Sequence, residues 1–162
     1  MAKNQVWDLV DLPKGVVAVD CKWVYKIKTD ASGNVERYKA RLVAKGFTQK
    51  EGIDYHETLS PVSKKDSFRI IMALVAHFDL ELHQMDVKTT FLNGDLEEEV
   101  YMKQPEGFDD NSQKACKLRK SIYGLKQASY QWYIKFHKVI TSHGFIENLV
   151  YTLRLVGVKL FF

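Results

Sequence analysis

The segment 80–102, LELHQMDVKTTFLNGDLEEEVYM, contains one carboxylate among residues typical of a buried strand. Its apolar neighbours, all predicted to be buried, are Leu82, Met85 and Val87. An unpaired Asp86 there would be costly, because burial removes the water that solvates its charge. Such an aspartate is usually a turn former or a metal ligand, and the turn signal lies farther on, at Asn93-Gly94. Two-metal phosphoryl-transfer sites take carboxylates from adjacent strands, so Asp86 is a candidate metal ligand that needs further evidence.

A second candidate group is a set of cations that alternate along two predicted strands. In VVAVDCKWVYKIK the apolar residues share one face, and VERYKARLVAKGF repeats the pattern after the turn signal DASGN. Pairing the two apolar faces also pairs the two basic faces, which predicts a two-stranded hairpin with cations on one side. These cations are Lys22, Lys26, Lys28, Arg37, Lys39, Arg41 and Lys45. For any single one of them, a solvated strand face is the alternative interpretation.

The rest of the pattern predicts an α+β fold, in which strands connected by hairpins are mixed with a few helices. Helices are predicted at about 65–78 and 128–143, and the second should end at Gly144. Strands are predicted around Asp86, in EVYMKQ and in the final run LVYTLRLVGVKLFF, with a loop at 105–114. The segment KLRKSIYGLKQ mixes strand and turn signals.

Composition limits the class of protein. A chain of 162 residues with 46% hydrophobic residues suits one domain with a core, or a piece of a larger protein. No run of 18 apolar residues and no signal peptide occurs, and the two cysteines lack metal-ligand spacing. We therefore expect no membrane association and a reducing intracellular compartment, without distinguishing cytoplasm from nucleus. The charge balances of residues 1–50, 51–110 and 111–162 are +5, −9 and +8, which fits either solubility or an acidic centre between basic binding flanks.

Several strings together are similar to the reverse transcriptase domain of copia-type long-terminal-repeat retrotransposons. They are YKARLVAKGFTQKEGIDY, LSPV, HQMDVKTTFLNGDLEEEVYMKQPEGF and KSIYGLKQAS with QWY, in order over about residues 4–147. The resemblance implies a right-hand polymerase domain at 4–162, with fingers at about 15–60 and a partial palm at about 61–162. It also implies RNA-directed DNA synthesis with two Mg²⁺ ions, with an RNA or DNA template–primer and deoxynucleoside triphosphates as partners. It indicates no specific protein partner.

The resemblance assigns roles to individual residues. Asp86 corresponds to the first catalytic aspartate, which holds both metals, and the backbone carbonyl of Val87 adds a ligand. Phe91 matches the aromatic residue that stacks under the incoming sugar and excludes a 2′-hydroxyl, although a core phenylalanine is the alternative. Thr89 and Thr90 match the position where backbone amides meet the triphosphate, and the family prefers alanine in place of Thr90. The other nucleotide-binding candidates are Lys39, Arg41, Gly124 and Gln127, and the nucleic-acid-binding candidates are Lys22, Lys26, Lys28, Arg37, Lys45 and Lys126.

One family motif does not occur in the sequence. The second pair of metal ligands lies in a Tyr-Val-Asp-Asp hairpin, and Asp109-Asp110, in the polar loop GFDDNSQ, cannot substitute for it. The alignment also becomes irregular after Asn148. We therefore expect a piece of the polymerase that lacks the thumb and does not polymerise alone, so its status as an enzyme is uncertain. A non-catalytic nucleic-acid-binding remnant, and a chain that folds poorly and has no function, are the alternatives.

Overall fold

The computed structural model describes residues 5–60, 65–82, 87–108 and 112–145. The elements in these ranges are the strands β1 (Trp7–Val10), β2 (Cys21–Thr29), β3 (Val35–Ala44), β4 (Tyr101–Met102) and β5 (Ala115–Leu118), the helices α1 (Lys65–His77) and α2 (Ala128–Ser142), and 3-10 turns at Gly46–Thr48 and Thr90–Asn93. This mixture confirms the predicted α+β class, and each helix ends within one residue of its predicted bound.

β2 and β3 form the predicted antiparallel hairpin. On one face Trp23 lies opposite Leu42, and on the other face like charges lie opposite each other, Lys26 with Lys39 and Lys28 with Arg37. The turn is closed by the carboxylate of Asp30, which accepts hydrogen bonds from the backbone amides of Ser32 and Asn34, each at 2.9 Å. The predicted pairing of apolar with apolar and basic with basic residues is confirmed.

The apolar face of the hairpin is buried at its base and open at its tip. Leu42 and Ala44 belong to the core, and the indole of Trp23 donates a hydrogen bond of 2.9 Å to the carbonyl of Glu106. Towards the turn, Tyr25, Ile27 and Tyr38 are 73%, 56% and 78% exposed. The hairpin therefore projects from the core, which holds it at the base only.

The core lies against a three-stranded sheet in the order β1-β5-β4, with both neighbours antiparallel to β5. Its buried residues come from the first 44 residues and from residues 100–128: Val6, Val19, Leu42, Ala44, Val100, Met102, Cys116, Leu118, Ile122, Leu125 and Ala128. The sequence pattern does not predict β1, because WDLV is too short to show an alternation and stands beside a proline-containing turn signal. Pairing with β5 makes it a strand.

The prediction of a strand around Asp86 is wrong for the described residues on both sides of it. Residues 80–82 and 87–89 are not in a strand, and Leu82 and Val87 are each 40% exposed. One edge of β4, the predicted returning strand, bonds to β5 and the other bridges Val19. Asp86 and Met85 lie outside the described residues, as does the predicted final strand in LVYTLRLVGVKLFF.

The two helices show one predicted end and one exposed apolar surface. α2 stops at Gly144 as predicted: the amide of Gly144 bonds to the carbonyl of Thr141, the amide of Phe145 bonds to that of Ile140, and Gly144 has φ +84°. On α1 several large apolar side chains stay exposed, namely Phe68, Ile70 and Leu74. Neither described helix has the length and apolar character that crossing a bilayer requires.

Candidate nucleotide and nucleic-acid interface

Two of the predicted nucleotide-binding side chains meet on one aromatic ring. The ring of Phe91 lies edge-on to the ring of Tyr123, with centroids 4.7 Å apart and planes at 69°. The guanidinium carbon of Arg41 lies over the same tyrosine, 5.5 Å from its centroid. Phe91 packs against the core but keeps part of its surface exposed, so it is neither a fully buried core residue nor a free one. The structure thus brings Arg41 and Phe91 to one place.

The base of the hairpin is joined to the YGLKQ segment by direct backbone contact. The amide of Ala44 donates to the carbonyl of Tyr123 at 2.7 Å, next to a bridge between Val43 and Tyr123. A Cβ added at Gly124, which has φ +90°, would lie well inside 3.0 Å of the Ala44 carbonyl oxygen. A Cβ at Gly46 would meet the Gly124 carbonyl oxygen in the same way. Glycine at position 124 permits the close approach of the hairpin backbone, and its predicted contact with a nucleotide stays a prediction.

Gln127 is completely buried, and its side-chain amide is used within the chain. Its nitrogen donates to the carbonyl of Asp54 at 3.0 Å, and its oxygen accepts a hydrogen bond of 3.1 Å from the amide of Gln49. The oxygen of Gln49 in turn accepts the backbone amide of Lys126 at 2.9 Å. Contact between Gln127 and a nucleotide, which stays a prediction, would require its neighbours to move, because the side chain is completely buried. The observed role of this buried amide pair is to hold the loop after β3 against the start of α2.

Lys126, a predicted nucleic-acid-binding residue, lies at the rim of this network. Its ammonium donates to the carbonyl of Gln49 at 3.1 Å and to the hydroxyl of Tyr55 at 3.2 Å. It also lies 4.8 Å from the centroid of the Tyr55 ring, which favours a cation–π contact. The residue is exposed, so its charge is oriented by these partners while it still faces solvent.

The loop before Phe91 has a strained backbone held by side chains. Thr89 adopts a left-handed conformation with φ +51°, which is costly for a β-branched residue. The side-chain amide of Asn93 donates to the carbonyl of Lys88 at 3.2 Å and to the carbonyl of Thr89 at 3.3 Å. The hydroxyl of Thr90 donates to the carbonyl of Val87 at 3.1 Å. The hydroxyl that departs from the family's alanine is thus bonded to the carbonyl that the resemblance identifies as a metal ligand.

The cationic face of the hairpin carries closely spaced like charges. Opposed cations repel each other, so an anion that lay across both strands would stabilise this face. Lys45 follows β3, and its ammonium lies 3.7 Å from the carboxylate of Asp20. A hydrogen bond from Lys103 at 2.7 Å, with a smaller contribution from Lys45, holds the pKa of the Asp20 carboxyl below its usual range. Of the predicted cations, Lys45 is therefore partly neutralised within the chain.

The described residues alone do not make a metal site. Among residues 5–60, 65–82, 87–108 and 112–145, no three histidine, cysteine, aspartate or glutamate side chains are grouped so that they could hold an ion. The predicted ligand Asp86 lies outside these ranges, and the carbonyl of Val87 is bonded to Thr90. The prediction of a metal site at Asp86 therefore stays a prediction.

Sequence reasoning did not select Tyr123 or Gln49, although both hold predicted site residues in place. Tyr123 stands inside the YGLKQ string, but only the structure shows that its ring contacts both Arg41 and Phe91. Gln49 had no local signal, because a glutamine in a polar loop predicts solvent exposure, whereas here it is buried against Gln127.

Comparison with known proteins gives a family. Residues 4–153 match the family described as reverse transcriptase (RNA-dependent DNA polymerase). The retrovirus-related Pol polyprotein from transposon TNT 1-94 of Nicotiana tabacum is 54% identical over 150 residues, which are 91% of this chain and 11% of that protein. Those from transposons RE2 and RE1 of Arabidopsis thaliana are each 44% identical over 149 residues, 90% of this chain and 10% of each relative.

The chain thus spans about a tenth of the length of these curated relatives. No solved structure matches it. The match extends over the motif strings that carry the resemblance, which is confirmed. The chain belongs to the reverse transcriptase domain family of copia-type retrotransposon Pol polyproteins.

Proposed function

We propose that residues 4–162 supply the fingers and part of the palm of an RNA-directed DNA polymerase. The observation that carries this proposal is the contact of Arg41 and Phe91 with one ring, Tyr123. A deoxynucleoside triphosphate needs a cation for its phosphates and a flat apolar surface for its sugar, and these two side chains offer both. In this proposal residues of about 15–60 form the fingers, and those from about 61 onward form the partial palm.

The proposed roles follow from side-chain chemistry. The guanidinium of Arg41 can bind phosphate oxygens in pairs, which the ammonium of Lys39 cannot do. Phe91 supports the sugar, and the backbone amides of Thr89 and Thr90 face the triphosphate. The remaining cations of the hairpin bind the phosphates of an RNA or DNA template–primer, and Gly124, Lys126 and Gln127 line the adjacent loop.

Reverse transcriptases generally use Mg²⁺, which supplies charge stabilisation for phosphoryl transfer. In this chain Asp86 and the carbonyl of Val87 would be its ligands. The 162 residues contain no Tyr-Val-Asp-Asp string, so the acidic partners of Asp86 are not among them. We propose that these residues alone do not polymerise, and that the activity requires a segment with those partners.

Primer extension tests the proposed function. Residues 1–162 are expected to give no product on a primed RNA template with Mg²⁺ or Mn²⁺, because the second carboxylate pair is missing. The same residues followed by a relative's segment that carries Tyr-Val-Asp-Asp and a thumb, here called the extended chain, should extend the primer. Products are resolved on a sequencing gel.

The control is the extended chain with both aspartates of Tyr-Val-Asp-Asp changed to asparagine. Templated incorporation by residues 1–162 above this control would contradict the proposed dependence on a second segment. A folded extended chain without activity would contradict the assignment of these residues to the polymerase itself.

The salt dependence of nucleic-acid binding tests the cationic face of the hairpin. With roughly 4 phosphate contacts, log K for single-stranded or hybrid nucleic acid should fall with log[salt] at a slope of about −3, without sequence preference. Changing Lys39 and Arg41 together to Ala should reduce that slope by up to about 2 units if both side chains meet phosphates. Fluorescence anisotropy at several salt concentrations measures the slope.

The matched control replaces two exposed lysines outside the hairpin, Lys114 and Lys138, by Ala. This pair removes the same number of charges and should leave the slope unchanged. A slope near zero for the unaltered chain, or equal losses in the two double variants, would argue against a binding role for the hairpin.

A further inference from the structure

Tyr123 contacts both the end of β3 and the turn that carries Phe91. Its carbonyl accepts the Ala44 amide at 2.7 Å, so its backbone is fixed to the end of β3. Its ring contacts Phe91, which belongs to the 3-10 turn Thr90–Asn93 next to α2. The residue before it, Ile122, is 1% exposed. Tyr123 is thus anchored to the hairpin and the core, and its ring reaches the loop that carries Phe91.

Arg41 and Phe91 contact the Tyr123 ring in different geometries. The Arg41 guanidinium lies over the ring, where the negative face of the π system attracts a cation. Phe91 meets the ring at 69°, the edge-to-face arrangement that aromatic pairs prefer. Because the tyrosine ring is rigid, it fixes how far the guanidinium can lie from the Phe91 ring.

We propose that Tyr123 is a positioning residue that sets the separation between Arg41 and Phe91, and so couples triphosphate binding to discrimination between deoxyribose and ribose. The inference rests on the proposed function above. A triphosphate held by Arg41 places its sugar at a fixed distance from the Phe91 ring only if the two side chains keep a fixed separation. Loss of the ring therefore affects both the affinity for the nucleotide and the choice of sugar, because Tyr123 acts through Arg41 and Phe91.

A packing residue would act differently. Replacing a tyrosine that only fills space lowers stability, and it affects dTTP and UTP equally. A positioning residue changes the ratio between the two nucleotides. The ratio is therefore the measurement that separates these roles.

The first experiment uses residues 1–162 and needs no activity. NMR resonances of the Arg41 side chain and the Phe91 ring are compared between the unaltered chain, Tyr123→Leu and Tyr123→Phe. Ring-current shifts should be lost for both residues in Tyr123→Leu and kept in Tyr123→Phe. If Tyr123→Leu does not fold, Tyr123→Met, which fills an irregular gap of similar size, takes its place. Unchanged Arg41 and Phe91 resonances in the folded variant would overturn the proposal.

The second experiment measures single-nucleotide incorporation of dTTP and UTP by the extended chain. Tyr123→Leu should raise KM for dTTP about tenfold with a smaller change in kcat, and should lower the preference for dTTP over UTP by about the same factor. Tyr123→Phe should behave like the unaltered chain, as should Tyr25→Leu, which removes an exposed tyrosine from the apolar face of the hairpin. A preference that survives in Tyr123→Leu would overturn the proposal. An inactive unaltered extended chain would count against the proposed function, and the NMR comparison would still test whether the Tyr123 ring contacts both Arg41 and Phe91.

Discussion

Replacing Asp86 by asparagine in the extended chain is expected to lower the rate of nucleotide incorporation at least about a thousandfold, which is roughly 4 kcal/mol of transition-state stabilisation. Asparagine keeps the shape of the side chain but removes the negative charge that divalent ions require of a ligand. The family motif assigns this position to both ions, so a single substitution should remove most of the activity. Single-turnover extension rates at saturating dTTP give the comparison.

Phe91→Ala in the same extended chain is the matched control. It alters the neighbouring sugar site and leaves the carboxylate intact, so dTTP incorporation should persist while discrimination against UTP falls. If the chain with Asp86→Asn extends primers at the normal rate, Asp86 is only structural, and the two-metal assignment of HQMDV is wrong.

The hairpin is the part of the fold that the sequence predicts best. Its two strands are nine and ten residues long, and a slip by one residue in one direction would place Arg41 opposite Trp23 and Lys22 opposite Leu42. The register is therefore determined by residues that are close together in the chain. The C-terminal end of α2 is likewise determined by nearby residues, because the helix stops at Gly144, whose amide bonds to the last turn.

The candidate site depends on contacts between distant segments, and these are not encoded in any local pattern. The family motifs name Arg41 and Phe91, but a pattern of alternation is equally compatible with Lys39 or Arg41 next to the nucleotide. The fold places the guanidinium of Arg41 on Tyr123 beside Phe91. The strand expected around Asp86 shows the same limit, because its described flanks, residues 80–82 and 87–89, are not in a strand.

Gly124→Ala is expected to destabilise residues 1–162 by about 3 kcal/mol or more, the second large effect. Two costs combine at this position. Alanine is strained at φ +90°, and its Cβ would overlap the carbonyl oxygen of Ala44 in a backbone that cannot rotate away. Urea unfolding followed by circular dichroism gives the free energy, with a check that the m-value is unchanged.

Two other glycines separate these costs. Gly107 has φ +80° with nothing within 4 Å of an added Cβ, so Gly107→Ala carries the backbone strain alone and should cost about 1 kcal/mol. Gly46 is not among the glycines with positive φ, yet its Cβ would meet the Gly124 carbonyl oxygen, so Gly46→Ala carries the steric overlap alone. The loss of stability caused by Gly124→Ala should exceed that caused by Gly107→Ala or by Gly46→Ala.

The comparison of the three glycine variants also tests how the hairpin reaches the proposed nucleotide site. Gly46, Gly124 and Ala44 bring two backbones into contact, and this contact places the end of β3, and with it Arg41, next to Tyr123 and Phe91. If the junction is as tight as the structure has it, Gly124→Ala in the extended chain should also raise KM for dTTP, because the hairpin moves away from Phe91. A Gly124→Ala chain that is no less stable than Gly107→Ala would mean that the two backbones do not approach this closely, and the contact that joins Arg41 to Phe91 would lose its support.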